Sequence, residues 1–154
     1  RLDFTLAANY NRLEIVGAVK TSSELSGLAD SYLQPWDRLR IEQNNPRSKY
    51  TATATYAIGK FSAMLRGVRF GEVTLQPGEA FGVRQTYSPQ FVTDLSITYQ
   101  VAKGLSLTAG ANNLFDQYPD FQLPDNSYLG VFRYPPIQQG MNGAYYFGRA
   151  TFQF

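Results

Sequence analysis

The chain reads as all-β, an antiparallel transmembrane β-barrel segment of about six strands, and three observations lead there. First, the final residues alternate without a break. Tyr146, Gly148, Ala150, Phe152 and Phe154 fall on one face, Arg149, Thr151 and Gln153 on the other. A strand that meets lipid on one side and a wet lumen on the other needs that pattern. Second, inside the segments that alternate this way, Asp3, Arg66, Asp94 and Arg149 all keep to the polar side. A charge on the lipid side near the midplane costs about 2–4 kcal/mol. Third, very short and long connections alternate strictly along the chain.

The first strand is expected over Leu2–Val16, with Leu2, Phe4, Leu6, Ala8 and Tyr10 on the apolar side. Its parity slips near Asn11, where a bulge or emergence from the membrane would fall. Ser48–Ile58 follows, with Tyr50, Ala52, Ala54, Tyr56 and Ile58 opposite Thr51, Thr53 and Thr55. Gly59-Lys60 then gives a tight hairpin into Phe61–Phe70. The fourth strand, Phe91–Val101, turns at Ala102-Lys103-Gly104, where Gly supplies a positive φ. Leu105–Leu114 and Gly143–Phe154 complete the set. The connections Gly17–Arg47, Gly71–Gln90 and Asn113–Asn142 exceed the ~12–15 residues that compact soluble domains tolerate without structure. Outer-membrane barrels place such loops outside and their short turns on the periplasmic side. The carboxy-terminus is then expected on the periplasmic side. Within the first long connection, Asp37-Arg38-Leu39-Arg40-Ile41-Glu42 alternates and reads as a strand prolonged above the membrane.

Composition supports this reading and excludes much chemistry. The 154 residues hold 11 Tyr, 11 Phe and 13 Gly, and 17% are charged, against about 25% in ordinary soluble domains. No apolar run approaches the ~18–20 residues of a membrane helix. Apolar residues are instead dispersed by alternation, and mean hydropathy is only −0.29. With neither Cys nor His, disulfides, thiolate metal sites and His-dependent nucleophilic catalysis are excluded. No enzyme, cofactor or metal is expected. A net charge of +2 gives no footprint for nucleic acid. The acids Asp116 and Asp120 admit a calcium reading, against the commoner one of plain loop carboxylates.

Three stretches then resemble one family. The run from Gly104 to Pro119, G-L-S-L-T-A-G-A-N-N-L-F-D-Q-Y-P, resembles the penultimate strand of TonB-dependent outer-membrane receptors. The end, G-A-Y-Y-F-G-R-A-T-F-Q-F, resembles their closing strand, and Asn45–Phe61 is similar to another of their strands. Together these touch about half the chain. The resemblance implies a barrel of roughly 22 strands around a folded plug. Residues 1–154 would then be the carboxy-terminal part of the barrel domain, with the plug and the amino-terminal strands outside it. It also implies a Gram-negative outer-membrane receptor that binds a scarce nutrient, an iron-siderophore first, and imports it on TonB-derived energy. The implied partners are the rest of the barrel and plug, the TonB complex through an amino-terminal region, membrane lipid and lipopolysaccharide, and the barrel-assembly machinery.

The same resemblance singles out loop residues for ligand: Tyr32, Trp36, Arg38 and Arg40 in the first loop, and Tyr118, Phe121, Tyr128, Phe132 and Arg133 in the third. Trp, Tyr and Arg supply most of the energy at binding anchors. They serve equally to pack loops or to sit at the headgroup level. Arg66, Asp94 and Arg149 face the lumen, either towards a plug or simply hydrated. Tyr146, Phe152 and Phe154 form the aromatic end that an assembly factor can read by pairing with a free strand edge. Two competitors remain. A small complete pore or adhesin barrel needs at least eight strands, with Val131–Arg133 the best place for another, against Pro135-Pro136. A soluble lipocalin-like barrel fits the length but not the lipid-facing aromatics.

Overall fold

The computed structural model describes residues 1–77, 82–127 and 130–153. Its frame is one antiparallel sheet of six strands, each hydrogen-bonded to the next in chain order. In sequence the strands are β1 (Leu2–Tyr10), β2 (Ser48–Ile58), β3 (Phe61–Phe70), a short hairpin β4 (Val73–Leu75) and β5 (Gln85–Tyr87), then β6 (Gln90–Ala102), β7 (Leu105–Asn112) and β8 (Tyr145–Phe152). The sheet order is β1-β2-β3-β6-β7-β8, and β4-β5 forms a separate pair. Two helices, α1 (Ala29–Tyr32) and α2 (Pro35–Gln43), lie between β1 and β2.

The register aligns the alternation of every strand. Phe4, Ala54, Leu65, Leu95, Ala111 and Tyr146 are successive partners across the sheet. On rows of the other parity, Asp3 pairs with Thr55, Arg66 with Asp94, and Thr108 with Arg149. A slip of one residue in any pair would put a charge or a run of Thr among the aromatics, so the pattern itself selects the register. Gly59 has φ +56 at the first of two central turn residues, as a type II′ hairpin requires. Gly104 has φ +79 in the second short turn. An irregularity between Gln100 and Ala102 absorbs an extra residue just before that turn.

The sheet has no core beneath it. On the apolar face Leu6 is 82% exposed and Phe4 71%. The best-buried side chains, Tyr87, Pro135 and Val73, lie in the loop region instead. A soluble barrel or sandwich buries its apolar face, so the lipocalin-like alternative is lost. The small closed barrel fails too among the described residues, since neither β1 nor β8 finds a second neighbour and Val131–Arg133 is not a strand. The apolar face carries aromatics towards both ends, as Phe91 and Tyr99 do on β6. Eight residues at ~3.4 Å each separate that pair by about 27 Å along a strand, which suits a tilted crossing of an apolar band about 25 Å tall.

Several expectations need correction. The first strand stops at Tyr10 instead of Val16; one more backbone bond, Asn11 N–H to Arg47 O at 2.9 Å, follows before the chain leaves the sheet. The fifth strand stops at Asn112, two residues short of Leu114. The sixth starts at Tyr145. Asp37–Glu42 does not prolong a strand: it lies within helix α2. Pro35 sits in the first turn, and Gln34 and Asp37 form a reciprocal cap, each side chain accepting the other's backbone N–H. The alternation Leu39/Ile41 misled because only Leu39 is buried, one anchor on an otherwise polar helix. The β4-β5 hairpin was not legible at all.

Placing Arg at Ile97, on the outward apolar face, should cost the full receptor about 2–4 kcal/mol. Arg at its inward neighbour Ser96 should cost little. Denaturant unfolding in lipid vesicles reads both; equal effects would overturn the facing.

Candidate functional site

The loops are built into one body at the end of the sheet away from the short turns. The Asn-Asn-Leu-Phe-Asp stretch starts it. Asn113 has φ +51 and Asp116 φ +54, conformations that Asn and Asp tolerate better than other side chains. The Asn113 carboxamide clasps Gln117, donating to its carbonyl at 2.7 Å and accepting its N–H at 2.9 Å. The Asp116 carboxylate accepts Ala144 N–H at 2.7 Å, which tethers the approach to β8. It also accepts the Tyr118 hydroxyl, and this bond, first, with some burial, holds the phenol above its ordinary range. A side chain at Gly143 would collide with both Tyr118 and Asp116 and force their side chains to move. Asp120 accepts Ser88 N–H at 2.6 Å. Both acids are therefore engaged as loop tethers.

The start of this loop is anchored to the sheet by a charge cluster on the sheet's polar face. Asp94, 6% exposed, takes Arg66 Nε and Nη2 on one carboxylate oxygen at 2.8 and 2.6 Å. Its other oxygen accepts Asn113 N–H at 2.9 Å. Arg149, on the same polar face by register, is exposed and lies opposite Thr108.

Carboxamides join the second and third loops. Gln85 donates to Phe121 O at 2.8 Å, while its Oε1 accepts from Leu123 N–H, the Asn126 amide and the Tyr87 hydroxyl at 2.9–3.0 Å. Burial is the main reason the Tyr87 phenol titrates above its usual range. Asn126 in turn accepts Val83 N–H at 2.6 Å. The first loop joins through Arg84 to Gln43 at 2.9 Å and Gln138 to Asn45 at 3.2 Å.

Where the three loops meet is a cavity of about 480 Å³. Arg40 and Asn44 come from the α2 end, Gln76 and Pro77 from the segment after β4, Gln122 and Phe132 from the third loop. Its walls are mainly apolar, with Leu75, Pro136 and Met141 among them beside Asn126, and Arg40 is the one charged residue among the described lining. Mostly apolar walls with a few polar groups are the usual make-up of a small-molecule site.

Of the residues singled out by sequence, Arg40 and Phe132 line this cavity. Trp36 stands behind Arg40, whose guanidinium lies 5.3 Å from its ring centre. Tyr118, Phe121 and Arg133 instead build a ladder with Tyr134. The Tyr118–Tyr134 and Phe121–Tyr134 ring centres are 4.8 and 5.3 Å apart, and Arg133 caps Phe121 at 4.2 Å. That ladder stiffens the third loop beside the cavity. Tyr32 ends α1 exposed, and Arg38 lies half-buried outside the cavity lining. Tyr146 and Phe152 sit exposed on the apolar face of β8. Tyr128 and Phe154 lie outside the described residues. The carboxamides were missed because Asn and Gln are ordinary loop residues, and nothing in their spacing marks which ones converge.

Residues 2–114 match the family model described as TonB dependent receptor-like, beta-barrel. The chain belongs to that family. Its place in the outer membrane follows from the family, and the open sheet is part of a TonB-dependent receptor barrel. Among solved structures it is similar to a mutant of the ferric enterobactin receptor PfeA from Pseudomonas aeruginosa, at 22% identity and a TM-score of 0.52, covering 71% of this chain and 16% of that one. It is also similar to a chain of the FpvAI–pyocin S2 complex, at 14% identity and a TM-score of 0.53, covering 72% and 14%. At these identities the likeness speaks to fold alone. No curated protein matches.

Two outcomes check this TonB-dependent receptor barrel. Asp94→Ala in the full receptor should cost about 2–3 kcal/mol, the range for losing bonds to a charged group, and Asp94→Asn less, since one acceptor oxygen remains for Asn113; chemical unfolding measures the difference. Gln85→Ala should speed tryptic cleavage after Arg133 severalfold while leaving the barrel's β-sheet circular dichroism unchanged.

Proposed function

We propose that this chain is the carboxy-terminal part of the barrel of an outer-membrane active transporter. The whole receptor captures an iron chelate, a siderophore complex, outside the cell and imports it to the periplasm on TonB-derived energy. The single observation that carries this reading is the cavity shared by all three long connections, with Arg40 and Phe132 on its wall. A lone cation beside apolar and carboxamide surface suits a bulky chelate of modest negative charge. Family membership supports energised transport, and the likeness to a ferric enterobactin receptor supports iron chelates as the first class to try.

In this reading the long loops lie outside and the short turns, with the carboxy-terminus, on the periplasmic side. The edges β1 and β8 pair with further strands of a larger closed barrel, in keeping with the small share of the similar chains that this one spans. The inward Arg66–Asp94 pair and Arg149 face a plug. The TonB complex acts through a plug-side segment outside residues 1–154, and the assembly machinery reads the β8 end with Tyr146, Phe152 and Phe154. The protein acts as a carrier and binder, with no bond made or broken.

The test uses the full receptor in its own cell. Arg40→Ala with Phe132→Ala should weaken binding of the matched ferric siderophore about tenfold, equivalent to about 1.4 kcal/mol. Uptake of labelled iron should vanish when TonB is deleted. Growth on every ferric chelate unchanged by loss of the whole receptor would refute the iron reading.

A further inference from the structure

Arg40 reaches the cavity wall from α2 with little to hold it there. Among the described residues no carboxylate forms an ion pair with it. Its guanidinium lies instead over the Trp36 ring, 5.3 Å from the ring centre. The two residues are one turn apart, the i,i+4 spacing that puts side chains on the same face of a helix. Helical side chains lean towards the amino end, so Arg40 lies back over the turn that carries Trp36. Trp36 is fixed in turn from the other side. Its indole N–H donates to Gln34 Oε1 at 2.5 Å. The Gln34 side chain also accepts Asp37 N–H, and the Asp37 carboxylate accepts Gln34 N–H at 3.3 Å. The ring is thus tied to the cap of α2, and the buried Leu39 seats the helix. Trp36 itself is half-buried and does not line the cavity.

Gln34, Trp36 and Arg40 therefore form a line from the helix cap to the cavity. An exposed Arg has many rotamers, and a ligand that captures one of them must freeze it. A cation over an indole face is attracted by the ring quadrupole, which favours the stacked arrangement about two- to fivefold at an exposed site. Stacking uses none of the guanidinium N–H donors, so they remain for an acceptor in the cavity. We propose that Trp36 is a positioning residue of the ligand site. Without touching the ligand, it holds Arg40 against the cavity, so that the guanidinium is already ordered when an anionic group arrives. This rests on the reading of the cavity as the ligand site. It moves Trp36, singled out from sequence as a ligand contact, to the support of one.

Two measurements on the full receptor test this. The first needs no ligand. Phenylglyoxal modifies guanidinium groups, and mass spectrometry of the peptides reads the rate at each Arg. Trp36→Leu should speed modification of Arg40 about two- to fivefold, the size of the lost ring attraction. Trp36→Tyr keeps a ring and should stay close to wild type. The rate at Arg133, which stacks on Phe121 in the third loop, should not change in either variant. Equal rates at Arg40 in wild type and Trp36→Leu overturn the positioning role, as does an equal rise in Trp36→Tyr. The second is a double-mutant cycle on binding, with the ferric complexes of a tricatecholate, a trihydroxamate and citrate as probes. Trp36→Leu should weaken binding of whichever chelate the wild type holds by about threefold, and should add nothing in an Arg40→Gln background. An equal loss in that background makes Trp36 a ligand contact and overturns the proposal. Failure of all three chelates to bind the wild type counts against the iron reading alone, and the labelling rates then decide the role of Trp36.

Discussion

Hydrocarbon offers no water to a peptide group, so every N–H and C=O that crosses it must find a partner in the protein. The six-stranded sheet meets that demand by antiparallel pairing of each strand with its neighbour in sequence. Side chains then have no choice of face. With a period of two, each register that completes the ladder also decides which residues look outward. The chain satisfies both demands with one pattern: aromatics, Ala and Leu on one parity, and Thr, Ser and the strand charges, Arg69 excepted, on the other.

The second constraint operates where the sheet ends. A strand leaving the membrane must hand its backbone to loops that have few apolar residues to pack. Asp94 makes that handover, joining Arg66 on the neighbouring strand to the first backbone amide beyond β7. Beyond it, carboxamides act as couplers, because one side chain both donates and accepts. Gln85, Asn113 and Asn126 serve this way, each bonded to backbone groups of the loops, and Gln122 donates to two loop carbonyls. The result is a stiffened rim of loops around a cavity, on a sheet that is itself coreless.

These two parts divide the work of a TonB-dependent receptor barrel. The sheet's apolar face is general, set by the membrane. The loops are particular, and in the function proposed above the selectivity of this portion is concentrated where Arg40 and Phe132 meet the carboxamides.

The sequence by itself determined the six strands, which residues share a face and most of the bounds: Ser48–Ile58 and Phe61–Phe70 agree to the residue. It could do so because alternation is a local property, written every second residue, and because a charge on the wrong side is costly enough to keep the pattern clean. It also placed Arg66 and Asp94 on one face of the sheet, though not their pairing with Asn113. The loops were legible only as loops. Helix α2 was misread as strand, since a short polar helix with one buried Leu has no strong period and its cap lies in Gln34 and Asp37 together. The β4-β5 pair, the Tyr118–Tyr134–Phe121 ladder and the cavity depend on contacts between segments tens of residues apart. Only the tertiary structure could decide which Arg reached the cavity and which aromatics became scaffolding, because that choice rests on where three independent loops meet.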